Sequence, residues 1–242
     1  ATKFALALLT LDFPDGSKED VWFEGNGKIT SGNGTFKNPR PNAFSLVEVD
    51  DCPYSTKTCR EVCYVGRLRD NEPEVHKAYQ HNSAAIKRIL AHSERQLYAE
   101  IIFSRWIAEN CARGGFRWHV SGDIFSQAYA EFIAHVCMGA PEVRFWIYTR
   151  SFFFLNTLLD IGNLTINLSA DQDNYALALA LHKVWGCRIC YLTVDGSIPP
   201  DLPKDSVIFP HHELRGRDLP IGERANTTFW QSLDRAHRKM VC

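Results

Sequence analysis

The sequence predicts an α/β protein built on a partial barrel of about six parallel β-strands. Three observations carry this prediction. From Ala43 onward, short apolar runs alternate with stretches in which apolar residues recur at helical spacing. The runs are apolar throughout, which is typical of parallel strands covered by helices. There are six of them, too few for the usual closed barrel of eight strands, and an open doubly wound sheet is the alternative.

The first 42 residues differ from the rest in composition. They contain five glycines, and Asp15-Gly16 and Asn33-Gly34 are dipeptides typical of hairpin turns. We therefore predict a small antiparallel β appendage over residues 1–42. The partial barrel would then occupy residues 43–242, with a cysteine-rich, cluster-binding loop near its start and a helix at its C-terminal end.

The elements of the barrel follow in order along the chain. Strands are predicted over residues 44–49, 116–120, 143–148, 164–168, 188–194 and 207–209. Helices are predicted over residues 75–90, 129–136, 177–185 and 226–239.

The predicted strands after the first end in polar residues. These ends are Ser121-Gly122-Asp123, Tyr148-Thr149-Arg150, Ser169-Ala170-Asp171, Thr193-Val194-Asp195 and His211-His212-Glu213. In parallel α/β folds the functional sites lie on the loops that follow the carboxyl ends of the strands. We therefore expect Asp123 and Arg150 to lie at one mouth, together with the loop that follows the first strand. The alternative is that such residues only cap the next helix.

That first loop contains three cysteines, Cys52, Cys59 and Cys63, separated by six and three residues. Structural zinc sites normally use closer pairs with a second pair far downstream. The wider spacing favours an iron–sulfur cluster, and we predict the [4Fe-4S] type with these three cysteines as ligands. A zinc site and free or disulfide-bonded cysteines are the alternatives.

The other five cysteines receive different interpretations. Cys242 follows the predicted helix 226–239, which could close one end of the barrel, and we predict that its thiol is the fourth cluster ligand. Cys111 and Cys137 are predicted to be small buried hydrophobic residues. Cys187 and Cys190, if both lie on a strand, would point to opposite faces and could not bind one metal together.

Composition excludes several classes of protein. The chain is 45% hydrophobic and 12% aromatic, which is enough for a folded core. Its net charge of −1 provides no field that favours nucleic acid or a membrane surface, and no apolar run is long enough to span a bilayer. Eight cysteines without a recognisable secretion signal indicate the reducing cytoplasm. A redox partner or another host protein is the partner we expect.

Three runs, residues 52–64, 116–125 and 145–151, resemble the phage gene-product-88 family, and this resemblance spans roughly residues 40–242. It implies a protein that works in the cytoplasm of an infected host cell. The predicted architecture also resembles the radical S-adenosylmethionine (SAM) superfamily. This second resemblance implies that Cys52, Cys59 and Cys63 bind the cluster. It also implies that Ser121, Gly122 and Asp123 would meet the amino group of SAM.

Two function hypotheses follow. In the first, four cysteines hold a [4Fe-4S] cluster used for electron transfer, sensing or structure, and Arg150 donates to its sulfur atoms or binds an anionic ligand. In the second, the chain is a radical SAM enzyme in which three cysteines leave one iron open for reductive cleavage of SAM. We favour the first because Cys242 offers a fourth thiol and the cysteine spacing is wider than is usual in the superfamily. We therefore expect no SAM to bind.

Overall fold

The structure is a computed structural model that describes residues 4–26, 41–63 and 65–211. The strands are β1 (Phe4–Asp12), β2 (Lys18–Asn26), β3 (Ala43–Phe44), β4 (Phe116–Trp118), β5 (Phe145–Thr149), β6 (Leu164–Ala170), β7 (Arg188–Thr193) and β8 (Val207–Pro210). The helices are α1 (Lys57–Glu61), α2 (Gly66–Asn71), α3 (Pro73–Leu90), α4 (Ser93–Cys111), α5 (Gln127–Gly139) and α6 (Tyr175–Trp185), with a 3-10 helix at Phe152–Thr157. The predicted helix 226–239 and Cys242 lie outside the described residues.

All eight strands belong to one mixed sheet, in which they lie side by side in chain order. Neighbouring strands from β3 to β8 run parallel, whereas β1, β2 and β3 pair antiparallel. The predicted α/β class is therefore confirmed. In the described part of the chain β1 and β8 do not pair with each other, so the sheet is open.

The strand order distinguishes between the two architectures considered from sequence. A doubly wound sheet needs a point at which the order reverses. From β3 to β8 the order runs in one direction only, which is the winding of a barrel wall. The doubly wound alternative is therefore wrong for the described strands, and the curvature of a partial barrel stays a prediction.

The N-terminal hairpin is antiparallel, as predicted, and it is also joined to the main sheet. Its turn contains Gly16 at φ +81°, a backbone conformation that glycine adopts without strain. Strand β2 continues the ladder by pairing Phe23 with Phe44 and Glu24 with Ala43 of β3. The hairpin thus extends the sheet by two strands.

One face of the sheet packs against α4 and α5 through a cluster of aromatic rings. The ring of Phe103 on α4 lies 5.3 Å from Phe23 and 5.4 Å from Phe44, and 5.2 Å from Phe132 on α5. All four side chains are fully buried. Burial of each is worth about 1.5–3 kcal/mol relative to exposure, so these rings contribute substantially to the stability of the fold.

The opposite face of the hairpin carries α3, which is held by hydrogen bonds. The Asn82 side chain accepts from the Trp22 amide (2.7 Å) and donates to the carbonyls of Trp22 (2.8 Å) and Ser45 (3.0 Å). The buried Glu24 carboxyl accepts from Ser45 Oγ (2.5 Å) and Tyr79 Oη (2.6 Å). Burial raises the pKa of Glu24, which these two hydrogen bonds oppose. Strand β2 therefore packs against the aromatic core on one face and is hydrogen-bonded to α3 on the other.

The ends of two helices have clear local causes. Ser126 caps α5, its hydroxyl accepting from the Tyr129 amide at 3.2 Å. Gly186 ends α6 in the left-handed conformation, with φ +71°. None of the helices in the described ranges has the length and apolarity needed to cross a bilayer.

Candidate functional site

The three cysteines lie on the segment that follows β3, and residues 52–63 are called the thiol loop below. This segment runs beside the residues that follow β4, and the Leu46 amide donates to the Ser121 carbonyl at 3.0 Å. Glycine is required at position 122 for this close approach. Its φ is +79°, and a Cβ there would lie 2.5 Å from Leu46 Cβ. The resemblance implied a ligand contact for Gly122, and the structure gives it a packing role.

The start of the thiol loop is fixed by a strained residue and by buried charge. Val49 has φ +68°, which a β-branched residue rarely adopts and which costs on the order of 1–3 kcal/mol. The Asp51 carboxylate is buried and forms an ion pair with the Lys87 ammonium. The Asp51 carbonyl accepts from the Asp123 amide at 2.8 Å. These contacts set the position from which Cys52 enters the site.

The middle of the thiol loop forms the short helix α1. Thr56 is its N-cap, and the Thr56 hydroxyl accepts from the amide of Cys59 at 3.0 Å. Cys59 therefore lies on the first turn, at a position set by the cap. Cys63 follows the helix and packs against the small apolar cluster of Val65, Val75 and Tyr79.

The three thiols lie within electrostatic range of one another. Burial raises the pKa of Cys52 to about 12, and the neighbouring Asp123, Cys59 and Cys63 add to the increase. Burial likewise raises the pKa of Cys59, the Arg150 guanidinium opposes it, and Cys63 adds to it. Asp123 and Arg150, which follow β4 and β5, therefore act electrostatically on these thiols.

The turn between β6 and α6, residues 171–173, holds the thiol loop from the other side. Asp171 is fully buried and accepts from Thr56 Oγ1 at 2.5 Å and from Arg150 Nη2 at 3.0 Å. The Asp173 carboxylate accepts from the Thr58 amide at 2.9 Å, which lowers the pKa of Asp173. The loop is therefore bound to a segment that lies 115 residues further along the chain.

Asp123 uses its carboxylate to fix the end of β5. It is buried and accepts from Thr149 Oγ1 (2.5 Å), from the Arg150 amide (2.8 Å) and from its neighbour, the Ile124 amide (2.8 Å). Burial raises the pKa of Asp123, which these hydrogen bonds oppose. Asp123 therefore positions the backbone of Arg150.

Three buried donors in the segments that follow β4 and β5 have no hydrogen-bond partner among the described residues: Ser121 Oγ, Ser151 Oγ and Arg150 Nε. Ser121 is 3% exposed and Ser151 is fully buried. Unpaired buried donors are rare in proteins because each costs about 1–3 kcal/mol. The sulfur atoms of a cluster accept hydrogen bonds and are tuned by them, and Arg150 is the one of these three residues that acts on the thiol of Cys59.

Within residues 4–26, 41–63 and 65–211, no group of three or more His, Cys, Asp or Glu side chains is close enough to hold a single metal ion. A [4Fe-4S] cluster makes a different demand, because each thiolate binds a different iron atom. Cys242, the predicted fourth ligand, lies outside the described residues.

The remaining cysteines have structural positions. Cys111 and Cys137 are buried in the apolar core, as predicted, and the Cys137 sulfur accepts from Trp118 Nε1 at 3.4 Å. Cys190 lies in β7 and is also buried. Cys187 precedes that strand, so the condition that both cysteines lie on one strand is not met.

Sequence reasoning missed the residues that hold the thiol loop in place. Asp171 was noted only as one polar strand end among several, and Thr56 was not singled out. A hydroxyl three residues before Cys59 is a capping signal and could have identified Thr56. A cavity of about 230 Å³ also lies beside the loop, at the ends of β6 and β7, with Thr58, Gln172 and Asp195 in its lining.

Comparison with known proteins gives relatives in phages. A family model described as Gene product 88 matches residues 19–238. The Gene 88 protein of Mycobacterium phage L5 is 31% identical over 149 residues, which are 58% of this chain and 60% of that protein. The Gene 88 protein of Mycobacterium phage D29 is 31% identical over 175 residues, 70% of this chain and 71% of that protein. No solved structure matches, so the resemblance to radical SAM proteins has no support from a structural relative.

Proposed function

The chain belongs to the gene product 88 family of phage proteins, and we propose that it holds a [4Fe-4S] cluster through Cys52, Cys59 and Cys63. One observation carries the proposal: three partly buried thiols lie on one short loop, which hydrogen bonds to Asp171 and Asp173 fix beside the end of β6. The fourth ligand in this proposal is Cys242.

The alternative of a purely structural role explains the thiol loop poorly. Cys111 and Cys137 are fully buried in the apolar core, where a cysteine acts as a small hydrophobic residue. The three loop thiols are only partly buried, and Arg150, Asp123 and Asp171 act on the sulfur of Cys59. A partly buried thiol among charges is typical of a ligand, and metal binding would remove the proton that burial otherwise retains.

The architecture supports the same proposal. Six parallel strands follow one another in chain order, as the wall of the predicted partial barrel requires, and the thiol loop follows the first of them. The cysteines require a reducing environment, so we place the protein in the cytoplasm of the infected cell, with a redox or host protein as partner.

The chain's own residues have defined roles in this proposal. A bound cluster supplies one-electron transfer. Asp123 holds the Arg150 backbone, Thr56 holds the amide of Cys59, and the turn at 171–173 fixes the loop. The unpaired donors of Ser121, Ser151 and Arg150 are available to the cluster sulfurs.

Two observations favour the radical SAM enzyme as a second candidate. The unpaired Ser121 hydroxyl lies in the stretch that would meet SAM, and the cavity beside Thr58 gives a small molecule space near the thiols. Against it, the Asp123 carboxylate already accepts three hydrogen bonds, and Leu46 fills the space at Gly122. We therefore keep the four-cysteine cluster as the proposal.

The test is anaerobic purification and reconstitution, followed by iron, sulfide and zinc analysis and electron paramagnetic resonance with and without SAM. We expect about four iron and four sulfide per chain, and a spectrum that SAM does not change. Zinc without iron in the reconstituted protein would overturn the proposal. A SAM-dependent spectrum, or formation of 5′-deoxyadenosine, would establish the radical SAM alternative.

The fourth ligand needs its own variant. Cys242→Ser should yield a cluster that loses iron faster in air than the parent protein, because one iron then lacks a thiolate. The matched control is Cys187→Ser, a thiol outside the thiol loop, which should leave the rate unchanged. Equal rates in parent and Cys242→Ser would exclude Cys242 as a ligand.

A further inference from the structure

We propose that Arg150 and Asp171 are positioning residues that act as an opposed charge pair on the Cys59 side of the thiol loop and set the reduction potential of the bound cluster. This inference rests on the proposed function and adds to it the residues that would regulate the site.

A continuous chain of hydrogen bonds supports the inference. Arg150 Nη2 donates to Asp171 Oδ2 at 3.0 Å, and Thr56 Oγ1 donates to the same oxygen at 2.5 Å. The Thr56 hydroxyl in turn accepts from the Cys59 amide at 3.0 Å. One hydroxyl therefore links the Asp171 carboxylate to the backbone of a proposed ligand.

The two oxygens of Asp171 have separate roles. Oδ1 accepts from the Asp173 amide at 3.0 Å within its own turn, while Oδ2 faces the thiol loop and Arg150. An asparagine at this position would retain an oxygen for the turn and remove the charge. Asp171→Asn therefore keeps the hydrogen bond of the turn while it removes the charge and the two hydrogen bonds that Oδ2 accepts, so iron content must be measured beside the potential.

Both charges lie where solvent screens them weakly. The Asp171 side chain is fully buried and that of Arg150 is 14% exposed. At such positions a unit charge acts strongly on a redox centre beside it. Reduction adds negative charge to the cluster, so the arginine favours the reduced state and the aspartate disfavours it.

The two partners should therefore have opposite effects. Arg150→Gln should shift the midpoint potential to a more negative value, and Asp171→Asn should shift it to a more positive value. The double variant should lie between the two single variants. Arg150→Lys, which keeps the charge, should remain near the parent potential. A residue that only maintained the fold would change iron content without this pattern of signs.

The measurement is an anaerobic redox titration of the reconstituted holoprotein, followed by electron paramagnetic resonance, with iron content measured on each sample. The matched control is another ion pair, Arg88 with Glu19 (2.7 Å), which joins α3 to β2. Arg88→Gln and Glu19→Gln should leave the potential unchanged.

The outcomes are distinguishable. An iron-free parent protein would overturn the proposed function and this inference with it. A loaded parent whose Arg150→Gln and Asp171→Asn potentials move in the same direction, or do not move, would overturn this inference alone. If Asp171→Asn retains no iron, the comparison of Arg150→Gln with Arg150→Lys decides: equal potentials refute the role of the arginine charge.

Discussion

The chain uses cysteine in two contrasting environments. Cys111 and Cys137 lie in the aromatic core beneath the sheet, where neighbouring side chains are apolar. Cys52 and Cys59 lie on a loop surrounded by carboxylates and an arginine. Burial raises the pKa in both environments, so the pKa alone does not separate them. The charged groups around each sulfur distinguish the two environments, and this difference supports the proposed metal-binding role of the thiol loop.

The largest expected effect is on bound iron. Cys59→Ala should lose the iron and sulfide completely, because it removes a ligand and leaves an iron without its thiolate. Cys137→Ala should retain the parent iron content, because Cys137 lies in the core. The measurement is iron and sulfide per chain after identical anaerobic reconstitution. Equal iron contents in the two variants would show that the two cysteine environments do not differ in iron binding.

A substitution in the aromatic core should lower the free energy of unfolding without changing iron binding at the thiol loop. Phe103 contacts three other buried rings, and Phe103→Ala should lower the free energy of unfolding by about 3–5 kcal/mol. Urea denaturation followed by circular dichroism measures this loss. The folded fraction should still bind iron at the parent ratio; a proportionate loss of iron would show that core and site are not separable.

Substitution of Gly122, which contacts Leu46 on the segment leading to the thiol loop, should lower the free energy of unfolding by a smaller amount. Gly122→Ala combines a positive φ with a collision against Leu46, and we expect a loss of roughly 2–4 kcal/mol. Gly16→Ala is the matched control, since Gly16 has a similar φ of +81° but nothing within 4 Å of the added carbon. It should cost about 1–2 kcal/mol. Equal losses, measured by urea denaturation, would mean that contact with Leu46 contributes nothing.

The smallest effect concerns pH. Burial raises the pKa of Cys137 from 9.0 to about 12, so the folded protein keeps a proton that the unfolded chain releases. The stabilisation is complete below pH 9 and is lost as pH rises towards 12, on the order of 1–3 kcal/mol by pH 11. In iron-free protein, Cys137→Ala should therefore lose less stability than the parent between pH 9 and 11. Parallel curves of unfolding free energy against pH would refute this.

Much of the fold was predictable because its strands are locally encoded. Each of the six apolar runs forms a strand of the parallel sheet, since such runs have few other ways to bury themselves. Strand β3 is shorter than predicted because the Ser45 hydroxyl bonds to Glu24 and to the Val120 amide, which takes the chain out of the ladder. Helix α4 was not predicted, since exposed Leu97 and Ile101 obscure its apolar stripe.

The site was predictable only in part, for a related physical reason. The rule that sites lie at strand ends led to Asp123 and Arg150, which the structure places beside the thiols. The role of Asp171 depends on which segments meet in space. Its contact with Thr56 spans 115 residues, and no local pattern encodes it. The attachment of the hairpin to β3 was missed for the same reason.

That long contact has a consequence for the order of folding. The thiol loop is made early in synthesis, but its hydrogen bonds to Asp171 and Asp173 require β6 and the following turn to be in place. Contacts between distant segments form late because loop closure must come first. We therefore expect the loop to reach its final geometry only when most of the sheet has assembled. In the proposed function, the cluster would then enter a nearly finished protein, because a nascent chain halted before β6 lacks the contacts that fix the loop.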